Sequence, residues 1–130
     1  YGATPALLEA HPALYTLSPE VFSRFAKENG LWWAQAHPFR PGLTRCPPSC
    51  LDGLEVFNGN PRHDSHNGLA AAYAEEHGLT AIAGSDYPEL PDLSGTGVRF
   101  HSEVTDNRTL LEGLRSGAFD IVRGAVPPIR

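Results

Sequence analysis

The feature that most constrains this chain is an alternation of strand-length apolar runs with segments of helical period. "TLSPEVFSRFAKENG" predicts a helix with Ser18 as N-cap, Pro19 at the first helical position, Glu20 in the first turn and Gly30 at its end. Val21, Phe22, Phe25 and Ala26 recur at helical spacing and predict its buried face. "LWWAQA" (31–36) reads as a short strand that stops at His37-Pro38. The same order follows again. "LDGLEVFNG" (51–59) predicts a strand, "HNGLAAAYAEEHG" (66–78) a helix capped by Asn67 and ended by Gly78, and "LTAIAGS" (79–85) a buried strand. "TGVRFHSEV" (96–104) has strand character, "DNRTLLEGLRSG" (106–117) is a capped helix closing on Gly117, and "FDIVRG" (119–124) is a last strand. A short helix beginning at Thr4-Pro5 precedes them.

Strands alternating with helices imply βαβ units and a parallel sheet or barrel. The strands are nearly unbroken apolar runs, as expected where both faces are covered. The longest connections, 37–51 and 85–96, both follow the C-terminal end of a strand, the side on which α/β folds carry their chemistry. A closed (β/α) barrel needs about 200–250 residues. This chain has 130, so the expectation is a single domain, 1–130, that is part of a larger one. It contains no Met and opens on Tyr1, a residue too large to follow a trimmed initiator, which also suggests that residue 1 is not the natural start.

Composition narrows the function. With 41% hydrophobic and 19% charged residues the chain is of ordinary globular make-up. No apolar run reaches the ~20 residues of a membrane span. A formal net charge of −5 disfavours nucleic acid as a partner, but leaves room for a small phosphorylated substrate held by local cations. Cys46 and Cys50 in "RCPPSC" are the only cysteines; they read as loop thiols of a cytoplasmic protein, or as half of a zinc site.

Several residues are candidates for chemistry. His37, in "AQAHPFRPG", closes a strand, and its imidazole is either a metal ligand or a capped loop histidine. Arg40, three positions on, offers a planar fork suited to phosphate, or is a solvated surface arginine. Glu55 is a carboxylate inside an apolar strand, so it either faces a polar interior or pairs with a neighbouring arginine. Asn58 ends that strand and either orients a ligand or makes an Asx-turn. "PRHDSHNG" holds His63 and His66 one helical turn apart, but Asp64, Ser65 and Asn67 there are read as turn and capping chemistry. Asp86, in "AIAGSDYPEL", reaches the rim of its strand; its weight depends on what lies near it.

Taken in order, "AQAHPFRPG", "LDGLEVFNGNPRHDSHNGLAAAYAEEHGL", "AIAGSDYPELPDLSGTGV" and "NRTLLEGLRSGAFDIVRG" resemble the C-terminal half of the PHP (polymerase and histidinol phosphatase) family, over about Asn29 to Gly124. The resemblance implies an irregular seven-stranded (β/α) barrel with two or three divalent metal ions (Mn, Zn or Fe) at its strand ends, driving phosphoester hydrolysis. It implies that His37 matches the metal-binding histidine of the family's "HP" motif and Asp86 the aspartate of its "SD-x-H" motif. Glu55 and Asn58 fall in its "E-x-x-N" strand end. Arg40 would clamp the phosphate. Two departures stand out. The family's early His-x-His pair and further His and Glu ligands would lie N-terminal to Tyr1, and Pro88 stands where the last histidine of "SD-x-H" would be.

The resulting expectation is a metal-dependent phosphoesterase acting on a small phosphorylated substrate, inactive without its N-terminal half or another copy of the chain to complete it. A PHP-like binding or regulatory module without catalysis is the alternative, favoured by Pro88. A third reading is an unrelated small α/β domain, in which His37 and Asp86 need not be neighbours.

Overall fold

A computed structural model of the chain describes residues 1–87 and 94–124. It is a mixed α/β fold containing a three-stranded parallel sheet. The elements are α1 (Pro5–Ala10), a 3-10 turn (Leu14–Thr16), α2 (Pro19–Glu28), β1 (Ala34–Gln35), a 3-10 turn (Pro48–Cys50), β2 (Gly53–Asn58), α3 (Asn67–Glu76), β3 (Thr80–Gly84), β4 (Gly97–Phe100), α4 (Asn107–Ser116) and β5 (Phe119–Val122).

The local signals act much as expected. Ser18 Oγ accepts the Val21 N–H at 3.3 Å to start α2, and Gly30, at φ 65°, carries the chain away from its end. Asp106 and Thr109 form a reciprocal capping box at α4, and Gly117 turns out of it at φ 68°. Three details differ. In α2 the buried residues are Ser23 and Ala26, whereas Val21 is exposed because it lies on the solvent side of the first turn. At α3 the cap position belongs to His66, in left-handed conformation, and Asn67 is already helical. The predicted 31–36 strand shrinks to two residues, because the N–H groups before it are taken elsewhere: Trp32 donates to the Tyr1 carbonyl at 3.1 Å and Trp33 to Asp52 Oδ2 at 3.0 Å.

The strand order is β1-β2-β3, all parallel. Leu54, Val56 and Leu51 pack on Ala70 and Ala74 of α3, small residues that let the helix approach closely. A second core joins Trp32 and Ile82 to Leu114 of α4. Gly53 permits this packing, since a Cβ there would sit 2.4 Å from the Trp32 ring.

β4 and β5 form a separate antiparallel pair, contrary to the expectation of parallel strands throughout. The ten residues of α4 advance about 15 Å. The six residues 101–106 before it span up to about 20 Å when extended. The outward path of that segment and the return along the helix therefore cancel, and Phe119 arrives opposite Phe100 rather than at the far end of β4. The strands among the described residues do not close into a barrel.

Candidate functional site

Because β1, β2 and β3 run the same way, their C-terminal ends share one edge of the sheet. His37 lies two residues beyond β1, Asn58 closes β2, and Asp86 lies two residues beyond β3. All five sequence-predicted residues, His37, Arg40, Glu55, Asn58 and Asp86, are joined there by hydrogen bonds. Arg40 Nη2 donates to Asp86 Oδ2 at 2.7 Å, Ser65 Oγ at 3.1 Å and Asn58 Oδ1 at 3.3 Å. Asn58 Nδ2 donates in turn to Glu55 Oε1 at 2.7 Å and Asp86 Oδ2 at 3.2 Å. The His37 N–H donates to Glu55 Oε1 at 3.0 Å.

Glu55 and Asn58, three apart on a regular strand, would project to opposite faces. They meet because the β2–β3 register slips between Glu55 and Phe57, so that Ile82 opposes Glu55 and Ala83 opposes Phe57. The extra residue, Val56, returns Asn58 to the Glu55 side, the usual re-aiming effect of a bulge. The Glu55 carboxylate is held by Asn58 and the His37 backbone, with no ion pair to an arginine among the described residues.

The backbone is strained at two of these residues. His37 and Asp86 have φ of 30° and 49°, in the left-handed region that side chains usually avoid. Arg40 donates its N–H to the His37 carbonyl at 3.1 Å, which fixes the turn between them. The His37 side chain remains unsatisfied: Nδ1 is buried and has no hydrogen-bond partner, and the same holds for Arg40 Nε.

Burial pushes the Glu55 carboxyl above its ordinary range, against hydrogen bonds from Asn58 and the His37 backbone that favour ionisation. At Asp86 burial acts in the same direction, but it is outweighed by hydrogen bonds from Arg40 and Asn58 together with the guanidinium charge, and the carboxyl lies below its ordinary range. The rim thus holds one carboxylate that resists ionisation beside one that is fixed in the charged form.

Three contributors were not foreseen. Ser65, read from sequence as turn chemistry, is buried and accepts from Arg40. Asn60, 3% exposed, donates to the Asp86 carbonyl at 2.7 Å and so supports the left-handed turn there. Asn67 clamps the end of β2, accepting the Asn58 N–H at 2.9 Å and donating to the Asn58 carbonyl at 3.2 Å. Their only sequence signal is the density of Asn and Ser after β2, which capping explains equally well.

His63 and His66 do not join the site. Both are exposed, and the His66 N–H is bound by Asp64 Oδ1 at 3.0 Å in a local turn. Cys46 and Cys50 are free, half-buried thiols. Pro88 lies outside the described residues. Among the described residues, no three His, Cys, Asp or Glu side chains are grouped so as to hold a metal ion, and no helix is long and apolar enough to cross a membrane. His37 Nδ1 is a buried imidazole nitrogen without a hydrogen-bond partner, and Asp86 is a carboxylate already paired with Arg40. Together they do not make a metal site.

No family model matches this chain, and no curated protein matches it.

Proposed function

We propose that this rim is the C-terminal portion of a PHP-type metal-dependent phosphoesterase site, in which His37 and Asp86 hold metal and Arg40 holds the phosphate of a small phosphorylated substrate. The observation that supports this most is the buried, unpartnered His37 Nδ1 beside an Arg40–Asp86 pair at the shared end of three parallel strands. A buried polar atom without a partner costs about 1–3 kcal/mol, which supports a bound ion or an ordered water at His37 Nδ1.

A divalent metal (Mn, Zn or Fe) would supply Lewis acidity and neutralise charge developing at phosphorus. The chain's own residues do the rest. Asn60 and Asn58 fix the Asp86 turn and carboxylate. Glu55 positions the His37 backbone. Arg40 offers the fork that recognises two phosphate oxygens at once. The remaining ligands, and closure of the sheet into a barrel, come from a further segment or from another copy of the chain.

One observation favours the non-catalytic alternative, a binding or regulatory module. Arg40 already neutralises Asp86, and the described residues supply no third ligand. Phosphate release from a simple phosphomonoester, with Mn2+ or Zn2+ added and an Asp86→Asn control, separates the two. With the remaining ligands supplied by that further segment or by a second copy of the chain, the phosphoesterase reading expects metal-dependent release that the substitution abolishes. Saturable binding of metal and phosphate by the site so completed, without release, would establish the module instead.

A further inference from the structure

We infer that the outer edge of β1 is an acceptor for a further, antiparallel strand, and that its occupant is an extended peptide segment joined to the Tyr1 nitrogen. The inference goes beyond the reading above and does not depend on it.

Among the described residues, β1 pairs with a strand on one side only, that of β2. Its register sets Ala34 against Gly53 and Gln35 against Leu54, and the Trp33 carbonyl accepts the Gly53 N–H at 3.2 Å. Successive residues of a strand send their peptide groups to opposite sides. Trp33 and Gln35 therefore serve β2, whereas the N–H and C=O of Trp32 and Ala34 point away from it. At Trp32 both groups are used. Its N–H donates to the Tyr1 carbonyl at 3.1 Å, and its carbonyl accepts from the Tyr1 nitrogen at 2.6 Å. Two residues that exchange both bonds are one rung of an antiparallel ladder. The Tyr1 and Trp32 rings lie 5.8 Å apart, as side chains of one rung should. At Ala34, two residues on, neither peptide group has a partner among the described residues. The ladder has one rung made and the next one open.

Direction and register follow from that rung. The second residue before Tyr1 would exchange both bonds with Ala34. It would also share the face on which Ala34 packs against Trp32, Ile82 and Leu114, so an apolar side chain fits there. The fourth and fifth residues would stand level with Ala36 and His37, at the rim. Charge favours a joined segment over a separate one. Burial pushes the Tyr1 ammonium below its ordinary value, a cost that a neutral amide making the same bond to Trp32 would not carry. Strand addition at such an edge draws its affinity from the main chain.

The test is amide hydrogen exchange followed by NMR in three proteins. They are the 130-residue chain, the chain preceded by Thr-Val-Thr-Val-Thr, and the chain preceded by Thr-Val-Thr-Pro-Thr. The proline falls opposite Ala34 and cannot donate to its carbonyl. The Trp32 N–H should be protected in all three, which shows that the first rung is intact. Exchange of the Ala34 N–H should slow about tenfold or more with the first extension, and most of that protection should be lost with proline. Equal exchange at Ala34 in all three proteins, with Trp32 protected, would overturn the inference. Protection of Ala34 that is present in the unextended chain and rises with protein concentration would give the edge to a second copy, and would overturn the joined segment as its occupant.

Discussion

The rim of the parallel sheet and the β4–α4–β5 unit solve the same problem by opposite means. In the second, Phe100 and Phe119 meet edge to face with centroids 5.5 Å apart, and Leu114 is buried against Trp32 and Ile82. These contacts are apolar, the caps are satisfied, and the sole left-handed residue in the segment, Gly117, is a glycine. At the rim, Glu55, Asn58, Asn60 and Ser65 are buried polar groups, and two non-glycine residues hold left-handed backbone. One region is arranged for stability. The other keeps a resistant carboxylate and two unsatisfied donors or acceptors that a fold alone would not require.

The comparison can be broken at several points. The largest effect should come from Leu54→Ala. Leu54 is wholly buried in the strand that carries Glu55 and Asn58, and its truncation should cost about 2–5 kcal/mol in denaturant unfolding. Loss of both stability and Mn2+ binding is expected, since the rim rests on this strand; a rim that still bound normally would show it to be independent of the core. Gly113→Ala acts on the other region. Its Cβ would stand 2.6 Å from the Phe100 ring, and overpacking should cost about 1–3 kcal/mol. Here Mn2+ affinity in the folded protein should not change. A parallel loss of affinity would mean that the two regions are not separable.

The smallest and sharpest effect is one of pH. Glu55 has a raised folded-state pKa, so its contribution to stability is complete below the unfolded value of about 4.3 and is lost as pH rises through the folded value. Asp86 runs the other way. Its contribution is present above about 3.9 and is lost as pH falls through its lowered folded value. Glu55→Gln keeps an oxygen for Asn58 and the His37 N–H while removing the buried charge. It should flatten the fall in melting temperature as pH rises above the unfolded value of about 4.3 and leave the acid limb intact. An unchanged profile would mean that Glu55 is not buried as a charge.

Much of the fold was legible in the sequence because its signals are local. Ser18-Pro19, Asp106 and the glycines at 30 and 117 act within one helical turn, and apolar runs mark the strands wherever the ladder is complete. The antiparallel β4–β5 pair was not legible, because it depends on a segment and a helix cancelling each other's length. At the site, His37, Arg40, Asn58 and Asp86 announced themselves as polar residues at strand ends. Their network did not, because it turns on a bulge at Val56 that places Asn58 on the same side as Glu55. Ser65 and Asn60 were hidden by chemistry that serves a turn equally well.

The most direct test of the account is Mn2+ binding followed by electron paramagnetic resonance in the wild-type chain and in Asp86→Asn. Asparagine tolerates left-handed backbone, so the turn at φ 49° should survive while the carboxylate is lost. The account predicts saturable binding to the wild type and a loss of at least about tenfold in the variant. Binding equal in the two proteins, or absent from the wild type, would contradict it.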